Sequence, residues 1–141
     1  MVELPDNKDI ERLDSQVVET EHDIVRARQL IRHFAKQLGL GIVDQTRITT
    51  ASSELFRNMY QYAGGGEVFL DKGEHSGRPA LIITCIDHGP GISDLDQVLA
   101  DGYTSGDGMG LGLPGSKRLV DFFHIESKIS EGTLVRLVKW L

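Results

Sequence analysis

The chain has 141 residues, 40% hydrophobic and 26% charged, with a formal net charge of −6 at pH 7. A chain of that size fits one domain that buries its own core without disulfides or structural metal. The acidic balance argues against nucleic acid as the main partner, because phosphate binding wants a basic face, and no apolar run approaches the length of a membrane span.

The single cysteine, Cys85, excludes an internal disulfide and fits a reducing compartment. It lies in an apolar run, as a buried strand residue or a reactive thiol. Residues 1–14 are charged and lack the apolar stretch of a signal peptide, so a cytoplasmic protein without a membrane anchor is expected. Residues 1–15 read as a flexible extension, and residues 16–141 as the domain.

In chain order, residues 16–20 form a short strand candidate around Val17 and Val18. Thr20-Glu21-His22-Asp23 reads as a helix start with a carboxylate in the first turn. Ile24, Ala27, Ile31, Phe34 and Leu38 follow at helical spacing, and Gly39 suits the stop. Arg26, Arg28, Arg32 and Lys36 take the rest of that helix, either as a solvated face or as a basic patch for an acidic partner. Asp44 is expected to cap a second helix running to Ala63, with Ile48, Ala51, Leu55, Met59 and Tyr62 as its apolar stripe and Gly64-Gly65-Gly66 as its stop.

Strands are expected over 67–71 and 79–86 with a polar turn over 72–78, the second strand being apolar enough to lie centrally in a sheet. Ser93 is expected to cap a short helix over 95–99. Residues 101–112 hold too many glycines to be regular, and each costs backbone entropy to order, so a lid ordered by ligand is expected there. A helix over 113–123 tolerates Pro114 in its first turn. Strands over 123–129 and 133–140, joined at Ser130-Glu131-Gly132, read as a hairpin. The order β-α-α-β-β-α-α-β-β predicts an α+β two-layer sandwich, with helices on one face of a mostly antiparallel mixed sheet.

Three short segments carry the chemistry. Glu54 and Asn58, four residues apart on a helix, project from one face at the margin of the apolar stripe. There a carboxylate can take the proton of an attacking hydroxyl and a carboxamide oxygen can join a magnesium shell; the pair also fits ordinary helix-surface residues. Asp87, at the end of the apolar strand and followed by Gly89-Pro90-Gly91, can accept from the exocyclic amine of adenine while the glycines let backbone approach a flat base. A plain turn has the same composition. Gly108-Met109-Gly110-Leu111-Gly112 offers backbone N–H groups ahead of a helix, which suits phosphate. It lacks the Gly-Lys-Ser/Thr ending of a P-loop, and no clear strand precedes it as a dinucleotide fingerprint would need. Lys117, a turn into the next helix, is a phosphate contact or a solvated lysine. Thr133, after Glu131-Gly132, reaches the base or a bridging water, or simply starts a strand. The five histidines show no metal-ligand spacing, and no nucleophile elbow is present.

In this order and spacing the segments resemble the GHKL ATPase superfamily of gyrase, Hsp90, histidine kinases and MutL. Glu54-x-x-x-Asn58 matches its N box, Asp87-x-Gly89-x-Gly91 its G1 box, Gly108-x-Gly110-x-Gly112 its G2 box, and Glu131-Gly132-Thr133 its final Gly-Thr segment. The small size is similar to the anti-sigma-factor serine kinases, and most of all to the stressosome switch kinases. That likeness extends through Asp23-Ile24-Val25-x-Ala27-Arg28-Gln29-Leu30, Tyr60-x-Tyr62-Ala63-Gly64 and Gly112-Leu113-Pro114-Gly115-x-Lys117-Arg118-Leu119. The resemblance implies the Bergerat fold, with ATP and Mg2+ as cofactors. Glu54 is then the catalytic base and Asn58 the metal ligand. Asp87, Gly89, Gly91, Gly108, Met109, Gly110, Leu111, Gly112, Lys117 and Thr133 are nucleotide contacts. The implied activity is phosphorylation of a serine or threonine on STAS-domain proteins resembling RsbS and RsbR, after which the freed kinase activates a PP2C-type phosphatase resembling RsbU. The alternative is an anti-sigma factor that sequesters a sigma factor and phosphorylates an anti-anti-sigma protein. Gly106-Asp107-Gly108 departs from the family by placing an extra carboxylate beside the phosphate loop, which would weaken nucleotide affinity.

Overall fold

The computed structural model of the chain describes residues 10–99 and 112–141. The elements are β1 (Glu11–Val18), α1 (Glu21–Gln37), α2 (Ile42–Ala63), β2 (Gly66–His75), β3 (Arg78–Asp87), α3 (Leu95–Val98), α4 (Leu113–Leu119), β4 (Phe122–Lys128) and β5 (Gly132–Trp140), in the expected order. The five strands make one sheet, β1-β2-β3-β5-β4, and every neighbouring pair is antiparallel. Ala27, Ile31 and Ala35 of α1 and Ile48, Ala51, Leu55, Phe56 and Met59 of α2 are buried in one core with Val68, Leu70, Leu81, Ile83, Cys85, Val135 and Leu137 of the sheet. This is the expected two-layer α+β sandwich, built because each helix has one apolar stripe that only a sheet face of matching width can cover.

β3 is buried from Ala80 to Ile86 because both of its faces are covered. Leu81, Ile83 and Cys85 meet the helices, whereas Ala80 and Ile82 pack with Val138, Ile10 and Trp140, and Ile86 packs with Leu134 and Phe69. On that second face Arg12 pairs with the buried carboxylate of Asp71 and lies 4.6 Å from the centre of the Phe69 ring.

Thr20 caps α1 as its sequence suggests. Its Oγ1 accepts from Asp23 N–H at 3.1 Å, and the Asp23 carboxylate accepts in return from Thr20 N–H at 3.1 Å. This capping box ties off N–H groups that the first turn would otherwise leave open. Gly39 follows the helix at φ 93°, a conformation that costs glycine nothing.

Five boundaries differ from expectation. β1 begins at Glu11, so residues 11–15 pair with β2; an edge strand with mostly charged and polar side chains carries no apolar signal. β2 runs on to His75, and the turn shrinks to Ser76-Gly77 at φ 52° and 76°. The ladder to β3 continues through Lys72–Leu81 and His75–Arg78 although the side chains are polar. Gly41, not Asp44, is the N-cap of α2, and Asp44 lies within the first turn. Asp94, not Ser93, caps α3, its Oδ1 accepting from Gln97 N–H at 3.0 Å. α4 stops at Leu119 because Val120 turns extended and Asp121 joins the sheet, donating its N–H to the Val138 carbonyl at 3.0 Å.

Asp121 is a junction. Its Oδ2 accepts from Lys139 Nζ at 3.0 Å and Trp140 N–H at 2.9 Å, and Lys139 also lies 3.4 Å from Asp44 of α2. Burial works to raise the Asp121 carboxyl, but these two hydrogen bonds and the charges of Lys139 and Arg78 outweigh it and hold the group below its ordinary range. A depressed carboxyl stabilises the fold above its unfolded pKa, and that stabilisation is lost as the pH falls through the folded value. Replacing Lys139 with Met should therefore cost about 1–3 kcal/mol in urea unfolding at neutral pH, because two carboxylates lose a shared cation. The difference between parent and variant should shrink as the pH falls into the acid range; a constant difference would mean the lysine acts through packing alone.

Candidate functional site

The end of the central strand sets the site. β3 finishes at Asp87, which pairs with Thr133 at the start of β5. Gly132, just before, has φ 132°, and a Cβ there would run into the Asp87 carbonyl oxygen. Only glycine lets the β4–β5 turn close this tightly over the strand end.

Beside this junction is a pocket between α2 and the sheet. Leu55, Asn58, Met59, Tyr62 and Ala63 of α2 form one wall, and Cys85, Val135 and Ile125 the floor. Asp87, Pro90, Gly91, Ile92, Leu113 and Thr133 complete it. The lining is mainly apolar, with Asn58, Asp87 and Thr133 among its polar side chains. An apolar slot with few placed polar groups suits a flat heterocycle whose edge must be read. Cys85 is the expected buried strand residue, and burial raises its thiol far above its ordinary value.

Asp87 is the charged group of this slot. Burial pushes its carboxyl above the ordinary range, while N–H donation from Gly89, at 3.0 Å, and from Thr133 works the other way. Backbone thus orients the carboxylate without neutralising it, leaving acceptor capacity for a ligand donor. The loop after Asp87 is tied down twice: Pro90 O accepts from Ser130 N–H at 2.8 Å, and Ile92 N–H donates to Ser127 Oγ at 2.8 Å.

Glu54 sits at the rim rather than in the slot, one helical turn before Asn58. Its Oε1 accepts from Arg57 Nη1 at 3.1 Å, and its Oε2 would lie 2.6 Å from a Cβ on Gly112. Gly112 is the N-cap of α4 at φ 68°, so the carboxylate stands at the start of that helix. α4 is held to α2 by Ser116, whose Oγ donates to the Ala51 carbonyl at 3.1 Å.

The structure therefore brings Asn58, Asp87, Gly91 and Thr133 together, with Gly89 in the same loop and Glu54 and Gly112 at one edge. Lys117 is exposed on α4 and does not line the slot. Gly108, Met109, Gly110 and Leu111, with most of the expected lid, lie outside the described residues. Sequence reasoning missed Ser127, Arg57 and Ser116. The Glu54–Arg57 spacing of three on a helix was the available signal; Ser127 and Ser116 belong to no motif.

Among the described residues no group of three or more His, Cys, Asp or Glu side chains could hold a metal alone. The donor set fits a nucleotide-borne magnesium instead, since Asn58 offers a neutral oxygen and phosphates would supply the rest. Among the described residues no helix is long and apolar enough to cross a membrane.

Residues 43–141 match the family of histidine kinase-, DNA gyrase B- and HSP90-like ATPases. The chain is 52% identical to the serine/threonine-protein kinase RsbT of Bacillus subtilis over 122 residues, covering 86% of this chain and 92% of that one. It is 30% identical to an anti-sigma F factor of a Thermoanaerobacter species, covering 82% and 83%. Two solved structures share the fold. The RsbU and RsbW domains of a Mycobacterium tuberculosis protein superpose with a TM-score of 0.64 at 18% identity, over 94% of this chain and 32% of that one. The catalytic domain of the histidine kinase ThkA superposes with a TM-score of 0.55 at 13% identity, over 91% and 96%. The chain belongs to the histidine kinase-, gyrase B- and HSP90-like ATPase family, on the branch of its serine/threonine-protein kinases, and that family supports ATP as its nucleotide.

Gly132 gives a direct test of how the slot is built. Gly132→Ala should lower stability by about 2–4 kcal/mol, from left-handed strain plus a clash with backbone that cannot move aside. Thermal melting measures this, and a loss below about 1 kcal/mol would mean that the turn relaxes away from Asp87.

Proposed function

We propose that the chain is a Mg-ATP-dependent protein serine/threonine kinase of the partner-switching kind, acting on STAS-domain antagonists resembling RsbS and RsbR. Released from them, it activates a PP2C-type phosphatase resembling RsbU. The observation that carries this reading is the convergence of Asp87, Thr133 and Asn58 on one apolar slot, with the Glu54 carboxylate one turn along the same helix. The kinase relative at 52% identity supports it.

Bound Mg-ATP supplies the phosphoryl group, its charge shared between magnesium and phosphate oxygens. The residues of the chain do the rest. Asp87 accepts a hydrogen bond from the adenine amine, and the apolar walls exclude water from the ring. Asn58 offers its amide oxygen to the metal. Glu54 takes the proton of the substrate hydroxyl, and its ion pair with Arg57 at 3.1 Å holds the carboxylate in place. Phosphate contacts are proposed for Gly112 at the start of α4, for the exposed Lys117 and for Gly108, Met109, Gly110 and Leu111.

Glu54 and Asn58 separate chemistry from binding. Glu54→Ala should lower phosphoryl transfer by roughly 10²–10⁴-fold while leaving Mg-ATP affinity nearly intact. Asn58→Ala should weaken Mg-ATP binding itself, measured by calorimetry with and without magnesium. Full transfer activity in Glu54→Ala would remove that residue from the mechanism.

A protein substrate needs a docking surface outside the slot. α1 offers exposed Arg28 and Arg32 beside the exposed Val25, in a shallow groove with Gln29 and Thr49 of α2. Exposed cations on an acidic protein suit an acidic partner surface, and they act mainly through association rate and salt dependence. Arg28→Glu with Arg32→Glu should slow phosphorylation of the STAS partner without changing ATP affinity. Partner binding that is unchanged across a salt titration would place the docking surface elsewhere.

The second reading, an anti-sigma factor, is supported by the relative of that name at 30% identity. Tight binding of a sigma factor by the nucleotide-loaded protein, with no STAS-protein phosphorylation coupled to a phosphatase, would favour it.

A further inference from the structure

Ser127 belongs to no family motif, yet three groups meet at its hydroxyl. It lies on the core-facing side of β4 with Phe123 and Ile125, opposite Thr133 in the hairpin register. Its Oγ is 2.8 Å from Ile92 N, 2.8 Å from Thr133 Oγ1 and 3.1 Å from Gly132 O.

A serine hydroxyl has one proton and two acceptor sites. Ile92 N–H occupies one acceptor site. The proton then has two destinations. Given to Gly132 O, it leaves Thr133 to donate to Ser127, and Thr133 shows only lone pairs to the slot. Given to Thr133 Oγ1, it frees the Thr133 proton to point into the slot. Thr133 is 8% exposed and lines the slot beside Asp87, so the choice decides what the ligand meets.

The edge of adenine presents an amine donor next to a ring-nitrogen acceptor. Its complement is an acceptor next to a donor. The Asp87 carboxylate is acceptor-only when ionised, and Thr133 becomes the donor only in the second arrangement. Hypoxanthine and guanine present the opposite order, an oxo acceptor next to an N–H donor.

We propose that Ser127 is a positioning residue for adenine selection: by donating to Thr133 it makes that hydroxyl the donor beside Asp87. The same oxygen, accepting from Ile92, pins the far end of the Gly89-Pro90-Gly91 loop to the reader. This rests on the nucleotide-site reading above, and it adds a residue that touches neither base nor phosphate.

The test compares parent, Ser127→Ala and Ser127→Thr by calorimetry with Mg-ATP and Mg-ITP, and by amide hydrogen exchange at Ile92 without nucleotide. Thermal melting confirms that each variant is folded. Ser127→Ala should lose roughly five- to tenfold in ATP affinity, the value of one hydrogen bond, with little change for ITP. Its ATP-to-ITP ratio should collapse, and Ser127→Thr should restore it. The Ile92 amide should exchange faster in Ser127→Ala. A parental ratio in Ser127→Ala, or an equal loss for both nucleotides, would overturn the selection role. Unchanged Ile92 exchange would overturn the pinning role, even if nucleotide binding were absent. A parent protein that binds neither nucleotide would overturn the slot's assignment, and base selection with it.

Discussion

The site depends on a carboxylate held at the end of a buried strand. Asp87 pays a desolvation penalty that pushes its carboxyl upward, and the N–H groups of Gly89 and Thr133 offset it. The Thr133 donor is available because β5 begins opposite Asp87 and because the Gly132 turn closes over the strand end without a side chain. An oriented but under-satisfied acceptor in an apolar slot is a poor feature for stability and a good one for recognition. The antiparallel order places β3 at the centre of the sheet with β5 beside it, so an interior strand carries the most demanding group.

α2 links packing to chemistry. Ile48, Ala51, Leu55, Phe56 and Met59 bury its apolar stripe, which fixes the helix in depth and rotation. Asn58 and Glu54 lie at the margin of that stripe, so the same packing that stabilises the domain aims a carboxamide into the slot and a carboxylate at the start of α4. Ser116 then fastens α4 to the Ala51 carbonyl, so the two helices hold the rim together. At the opposite end of the sheet, Lys139 bridges Asp121 and Asp44, tying β5 and the α4–β4 link to the start of α2.

The element order and the two-layer fold were legible in the sequence because apolar periodicity marks α1, α2, β3 and β5 strongly. That Asn58, Asp87, Gly91 and Thr133 would share one site was legible because they fall in the motif segments of the family the sequence resembles. What was not legible depended on partners far along the chain. The first half of β1, residues 11–15, is joined through backbone pairing with β2, and its largely polar side chains do not announce it. α4 ends early because Asp121 bonds to residues of β5. Lys117, read as a phosphate contact or a solvated lysine, stands exposed on α4. Ser127 has no sequence signal, since its importance comes from meeting Ile92 and Thr133 in space.

On the proposed function, this slot positions ATP for transfer to a protein hydroxyl. The most direct measurement is transfer of label from γ-labelled Mg-ATP to a STAS-domain partner, followed by acid treatment and mass-spectrometric mapping. Acid-stable phosphate on a serine or threonine of the partner is the expected result. Label found only as inorganic phosphate, or on an acid-labile histidine, would contradict it.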